Sequence, residues 1–199
     1  PHMATNVEVE KNTVNALKIS ELLDLDVPVV QGARRPLVKK SEIAPEIHGE
    51  TGMDGPVLKD PEISALDGHA VDFIIDQVMQ SDEAVTLVPT GPLTNIAMAL
   101  IKEPRIIENI DEIVLMGGGT FGNWTPAAEF NIFVDAEAAK VVYESGVPVT
   151  MFGLDVTHQV IATQDIIQRV GNIDNKIAEF VKNVFYKKLL FSCSNKPTT

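Results

Sequence analysis

"IDEIVLMGGG", residues 110–119, decides the fold class. From Ile113 to Met116 every side chain is apolar, and three glycines stop the run. A strand with one face in water alternates apolar and polar residues, whereas a run without alternation reads as a strand buried on both faces. On one side, "AVTLVPTGP" (84–92) reads as another buried strand ending in a turn; on the other, "VPVTMFGLD" (147–155) reads as a third strand. Between them, "LTNIAMALI" (93–101) and "DAEAAKVVYESG" (135–146) carry helical spacing, the second with a glycine stop. Strands that alternate with helical runs indicate parallel βαβ units, so the expected fold is α/β, an open, mostly parallel sheet flanked by helices.

Further out, "GHAVDFIIDQVMQ" (68–80) reads as a helix, and "NTVNALKISELL" (12–23), after a short start at residues 7–9, as an amphipathic helix carrying Val14, Leu17, Ile19, Leu22 and Leu23. "VPVVQG" (27–32) is a brief β-branched run ended by glycine and reads as a strand; the polar stretch 34–56, punctuated by proline and glycine, reads as a loop. From Thr163 onward the chain is expected to be helical, most clearly at 174–190, before a polar tail at 192–199. The expected organisation is a single α/β domain over residues 4–199, with Pro1 to Met3 as a cloning remnant.

Composition narrows the function classes. The chain has 199 residues, 45% hydrophobic and 22% charged, with a net charge of −12 and scattered basic residues. A nucleic-acid surface needs a concentrated positive patch, so no nucleic-acid partner is expected. No apolar run reaches the roughly 18–20 residues of a bilayer span, so no membrane partner is expected either. A lone cysteine, Cys193, cannot form an internal disulfide and suits a reducing cytoplasm.

In a parallel sheet the loops beyond the carboxyl ends of the strands gather ligands, which directs attention to 89–95, 116–131 and 153–159. Gly117, Gly119 and Gly122 match the spacing of a dinucleotide loop, but Asn123, Trp124, Thr125 and Pro126 follow where a helix should begin, and no helical pattern starts before Asp135. The nicotinamide or flavin reading is therefore rejected, and the glycines read as a tight turn. Asn123, Glu129 and Asn131 offer neutral donors and acceptors plus one carboxylate, a set suited to vicinal sugar hydroxyls; the competing reading, equally weighted, is that they tie down their own loop. Asp135 reads as a helix cap. His48 lies in an exposed excursion, either solvated or in contact with a substrate, while His69 and His158 read as structural. Thr90 and Pro92 form a turn whose carbonyls could serve calcium, though most such groups are ordinary; the histidines lack the spacing of a zinc site.

Taken in order, "IHGETGMDGP" (47–56), "VPTGPLTNIAMA" (88–99), "EIVLMGGG" (112–119), "GNWTPAAEFNIFVDAEAA" (122–139) and "GLDVTHQ" (153–159) resemble the inosine-uridine-preferring nucleoside hydrolases, from about Asn6 to about Val170. The resemblance implies a calcium-dependent enzyme of purine and pyrimidine salvage that hydrolyses the N-glycosidic bond of ribonucleosides to base and ribose, working as a dimer or tetramer. It implies that Asn123, Glu129 and Asn131 grip the ribose hydroxyls, that Asn6 lies near the ribose, that Met116 lines the sugar pocket, that His48 approaches the base, and that the Thr90 main-chain oxygen meets calcium. Such enzymes begin with a D-x-D-P-G-x-D-D strand end that supplies the catalytic base and most calcium ligands, and carry a later histidine and aspartate pair; neither is found in these residues. Relative to the family the chain is thus expected to be truncated at both ends, to lack the first strand and the carboxyl-terminal region, to be inactive or impaired, and to need its open sheet edge covered by another chain. The alternative is a non-catalytic nucleoside- or ribose-binding or structural homologue.

Overall fold

The computed structural model describes residues 8–40 and 51–194, with side chains as far as Tyr186. Three strands, β1 (Val85–Leu87), β2 (Ile110–Met116) and β3 (Val149–Phe152), form a parallel sheet in the order β1-β2-β3. Leu87 lies opposite Ile113, Ile113 opposite Val149, and Met116 opposite Phe152, so the carboxyl ends of β2 and β3 finish level. The helices are α1 (Val9–Leu22), α2 (Ala70–Gln80), α3 (Thr94–Lys102), α4 (Phe130–Val134), α5 (Ala136–Tyr143), α6 (Leu154–Thr157), α7 (Gln164–Gly171) and α8 (Lys176–Ser194).

The core explains the arrangement. Ile113 and Leu115 of β2 are buried and pack in one cluster with Ile74 and Val78 of α2, Ile96 and Leu100 of α3, and Val142 of α5. Burial of each such side chain contributes roughly 1.5–3 kcal/mol, so the helices are held mainly by their apolar stripes rather than by intrinsic propensity. Small residues at the crossing, Ala97 and Ala99 on α3 with Ala138 and Ala139 on α5, let these two helices come close. The α7 and α8 helices pack on each other, with the Thr163 hydroxyl capping α7 through Ile166 N–H at 3.3 Å.

The chain is an α/β protein with a parallel sheet flanked by helices, and 93–101, 110–119 and 135–146 form the elements their patterns predict. Four local expectations need correction. The 84–92 stretch is a short strand with Thr86 exposed, at an edge of the described sheet rather than buried, because among the described strands β2 alone has a neighbour on each side. Among the described residues the 27–32 stretch pairs through an isolated bridge, Val30 to Leu66, instead of a ladder. In α1 the buried positions are Val9, Thr13, Leu17 and Ser20, whereas Val14 and Leu23 are exposed; the Thr13 hydroxyl tolerates burial by donating to the Val9 carbonyl at 2.8 Å. Finally, a helix does begin before Asp135: α4 is five residues long, too short to show a period.

Candidate functional site

The site forms where the three strands end. Met116, the last residue of β2, donates its N–H to the Pro89 carbonyl beyond β1 at 3.0 Å, and Gly117 N–H donates to the Phe152 carbonyl at the end of β3 at 3.3 Å. From this platform residues 117–129 run out as a loop and return as α4. Its outer turn closes on one acceptor: the Ala128 carbonyl receives the N–H groups of Asn123, Trp124 and Thr125 at 3.1–3.3 Å. Gly122 is required here, since a Cβ at that position would lie 2.0 Å from the Thr125 carbonyl oxygen. The glycines therefore shape the turn, as the sequence suggests. Trp124 closes the hairpin by packing edge-on against Phe130, with ring centroids 5.0 Å apart.

The three candidate sugar-binding residues share one pattern. Asn123 Oδ1 accepts from Phe130 N–H at 2.9 Å. Glu129 is 4% exposed; its Oε2 accepts from Gly118 N–H at 2.9 Å and from Ile132 N–H at 3.1 Å, so it caps α4 and holds the glycine loop at once. Asn131 Nδ2 donates to the Met116 carbonyl at 3.1 Å and lies 3.2 Å from Met116 Sδ. Backbone partners thus fix both amide orientations. The second polar atom of each residue, Asn123 Nδ2, Glu129 Oε1 and Asn131 Oδ1, has no partner among the described residues. One donor and two acceptors remain available at the carboxyl end of the sheet.

Asp135 caps α5 through Ala138 N–H at 3.1 Å, as expected, but does more. It is fully buried, and its other oxygen accepts from Leu37 N–H at 3.0 Å and from the Thr94 hydroxyl. Nearby, Lys39 Nζ donates to the Phe133 carbonyl at 2.7 Å and sits 4.2 Å from the Phe133 ring centroid. Segment 33–39 is thereby bound to the end of α4.

His69 caps α2, its Nδ1 accepting from Val71 N–H at 3.2 Å, and the exposed His158 ends α6 with its ring 5.3 Å from that of Phe121. Thr90 is exposed in the turn after β1, one residue beyond Pro89 and hence beside the same strand ends as Met116. Asn6 and His48 lie outside the described residues. Among the described residues no group of three or more His, Cys, Asp or Glu side chains could hold a metal.

Sequence reasoning did not single out Asp155, in the first turn of α6. Its carboxylate accepts from Thr120 N–H at 2.8 Å and from the Thr120 hydroxyl. These bonds, the hydroxyl first and the N–H second, hold its pKa below the ordinary value of 3.8. An aspartate just after a strand end was the available signal.

A parallel α/β sheet with a polar, glycine-shaped loop over its carboxyl edge is a common ligand-binding layout, and comparison with known proteins narrows it. A sequence model of the inosine-uridine preferring nucleoside hydrolases matches residues 2–195, and the chain belongs to that family. It is 51% identical over 183 residues to a pyrimidine-specific ribonucleoside hydrolase of Shewanella woodyi, covering 91% of this chain and 59% of the relative. Over 184 residues it is 47% identical to a second such hydrolase from Shigella flexneri, covering 92% and 58%. The chain thus spans about three fifths of the length of these relatives. Among solved structures, a purine-preferring ribonucleoside hydrolase from Gardnerella vaginalis superposes with a TM-score of 0.92 at 38% identity, covering 98% of this chain and 64% of that one.

Proposed function

We propose that this chain carries the ribose grip of a ribonucleoside hydrolase, an enzyme that adds water across the N-glycosidic bond and releases base and ribose. The observation that supports this is the divided use of Asn123, Glu129 and Asn131: each fixes itself to the backbone with one polar atom and keeps another unpaired among the described residues. Vicinal hydroxyls both give and take hydrogen bonds, and a set of one amide donor, one amide acceptor and one carboxylate oxygen answers them. Because the holding atoms are locked before the sugar arrives, little side-chain freedom is lost on binding. The carboxylate also favours positive charge developing on the ribose ring as the base departs.

The calcium ion implied by the resemblance finds only the Thr90 carbonyl among the proposed ligands, and the described residues offer no carboxylate cluster to complete a site. For the same reason the 199-residue chain is expected to bind the sugar while hydrolysing poorly, which keeps the non-catalytic ribose-binding reading as the second one. Assembly into dimers or tetramers, and action in the cytoplasm on free ribonucleosides, are proposed on the family resemblance. Among the described residues no helix is long and apolar enough to cross a membrane.

The test uses Trp124, the single tryptophan of the chain, as the reporter. D-ribose, inosine and uridine should each change its fluorescence saturably, and 2-deoxyribose should do so more weakly. In parallel, reducing sugar released from inosine and uridine is followed with calcium and with EDTA. No ribose response would sink the sugar-grip reading. Rapid calcium-dependent release would overturn the expectation of weak hydrolysis and eliminate the non-catalytic reading.

A further inference from the structure

The glycine loop is held from two sides by two carboxylates. On the inner side Glu129 Oε2 takes the Gly118 N–H at 2.9 Å. On the outer side the first turn of α6 takes the residues around it: Leu154 N–H donates to the Gly118 carbonyl at 2.9 Å, and the Asp155 carboxylate accepts both the N–H and the hydroxyl of Thr120. The approach is close. A Cβ on Gly153 would come within 2.9 Å of the Gly118 carbonyl oxygen, and Gly119, at φ +151°, passes so near that a Cβ there would meet Leu154 N and Asp155 Oδ2 at 3.2 Å. The far end of α6 adds the contact between the His158 and Phe121 rings. Residues 118–121 therefore have their course set by α6, and the direction of the Gly118 N–H follows from that course.

We propose that Asp155 is a positioning residue of the sugar site: by latching Thr120 it fixes the glycine loop, so that the Gly118 N–H holds Glu129 Oε2 and leaves Oε1 aimed at the sugar. This deepens the ribose-grip reading and takes its functional meaning from it. Among the described residues Glu129 has two donors on its holding oxygen, Gly118 and Ile132. The Ile132 N–H belongs to the helix that Glu129 caps and moves with it. Gly118 is the one donor that ties the carboxylate to the sheet edge, and its own anchors are the contacts with α6. Free the loop, and the carboxylate keeps its helix but loses its bearing relative to Met116 and Asn131. Asp155 gives both carboxylate oxygens to Thr120, so the proposed action passes through Thr120 and Gly118.

Backbone amide exchange of the whole chain, followed by NMR, tests this alongside ribose titration by Trp124 fluorescence. In Asp155→Ala the Gly118 and Thr120 amides should exchange about tenfold faster or more, the size expected for losing charge-assisted hydrogen bonds, while Ile113 and Leu115 in β2 keep their protection. Ribose affinity should fall in step, and Asp155→Asn, which keeps an acceptor for Thr120, should restore most of both. Unchanged Gly118 exchange in Asp155→Ala with an intact core would overturn the proposal, as would loosening that Asp155→Asn does not rescue. If Asp155→Ala disrupts the core, Thr120→Val decides: it retains the N–H donor and removes the hydroxyl, so Gly118 should loosen partially, and no loosening refutes the latch. A wild-type chain that ignores ribose would defeat the ribose-grip reading alone, because Gly118 exchange still reports whether Asp155 positions Glu129.

Discussion

Glu129 and Asp135 stand six positions apart, each buried, each capping the short helix that follows it, and each binding a backbone N–H from elsewhere in the chain. They differ in what they leave over. Asp135 commits both oxygens, one to Ala138 N–H and the other to Leu37 N–H and the Thr94 hydroxyl. Glu129 places both of its donors on Oε2, and Oε1 has none among the described residues. An oxygen left without a protein donor beside two fixed amides can accept from a ligand, so the spare oxygen of Glu129 is the more informative of the two. One carboxylate joins the parts of the molecule, and the other is joined on one side only.

Substitutions can break this comparison, and the largest effect belongs to Asp135. Asp135→Ala strands three donors, two of them buried, and should lower stability by about 3 kcal/mol or more in urea unfolding; a loss below about 1 kcal/mol would mean that the hub is not structural. Glu129→Gln sharpens the contrast, since the amide oxygen can keep the bonds to Gly118 and Ile132 while the NH2 turns the free acceptor into a donor. Stability should fall by only about 1 kcal/mol, whereas ribose affinity should drop about tenfold or more. Equal losses of stability in the two variants would erase the distinction. Asn123→Asp makes the converse exchange at the exposed rim: Oδ1 still meets Phe130 N–H, and the free donor becomes an acceptor. Stability should stay within about 0.5 kcal/mol while ribose binding weakens severalfold.

The smallest effect expected is the pH dependence of the Asp155 latch. The folded pKa lies below the ordinary 3.8, so the stabilisation is fully present above 3.8 and is lost as pH falls through the depressed value. Gly118 exchange, corrected for intrinsic rates, should be level between pH 5 and pH 7. It should rise relative to the core only in more acidic solution, and Asp155→Asn should flatten that rise. A wild-type step near neutral pH would point to another group.

The long elements were legible because burial imposes a period. Val71, Ile74 and Val78 mark α2, and the run from Ile113 to Met116 marks the strand that, among those described, has neighbours on both sides. Short or edge elements were not. Phe130 to Val134 is barely more than one helical turn, and Val85 to Leu87 has the residues of a buried strand in an edge position that only tertiary structure reveals. At the site, the residue types in 123–131 announced hydrogen bonding, and the resemblance proposed a sugar. Which atom of each side chain is spent on the backbone is a matter of geometry, as is the link from Asp155 to Thr120, whose members are 35 positions apart. Asp135 shows the same limit: its cap was readable from the helix behind it, but its bonds to Leu37 and Thr94 were not.

The central place of β2 also fixes an order of events during synthesis. Among the described strands β1 emerges before β2, and until Ile110 to Met116 follows, α2 and α3 have their apolar stripes uncovered on the side that β2 will fill. Once β2 arrives, Ile113 and Leu115 can close the first unit in one cooperative step, and β3 joins an edge that already exists. Slow translation before residue 110 would lengthen the vulnerable interval, whereas a pause after residue 116 would be harmless by comparison. Among the described elements, misassembly is most open while α2 and α3 are finished and β2 is still unmade.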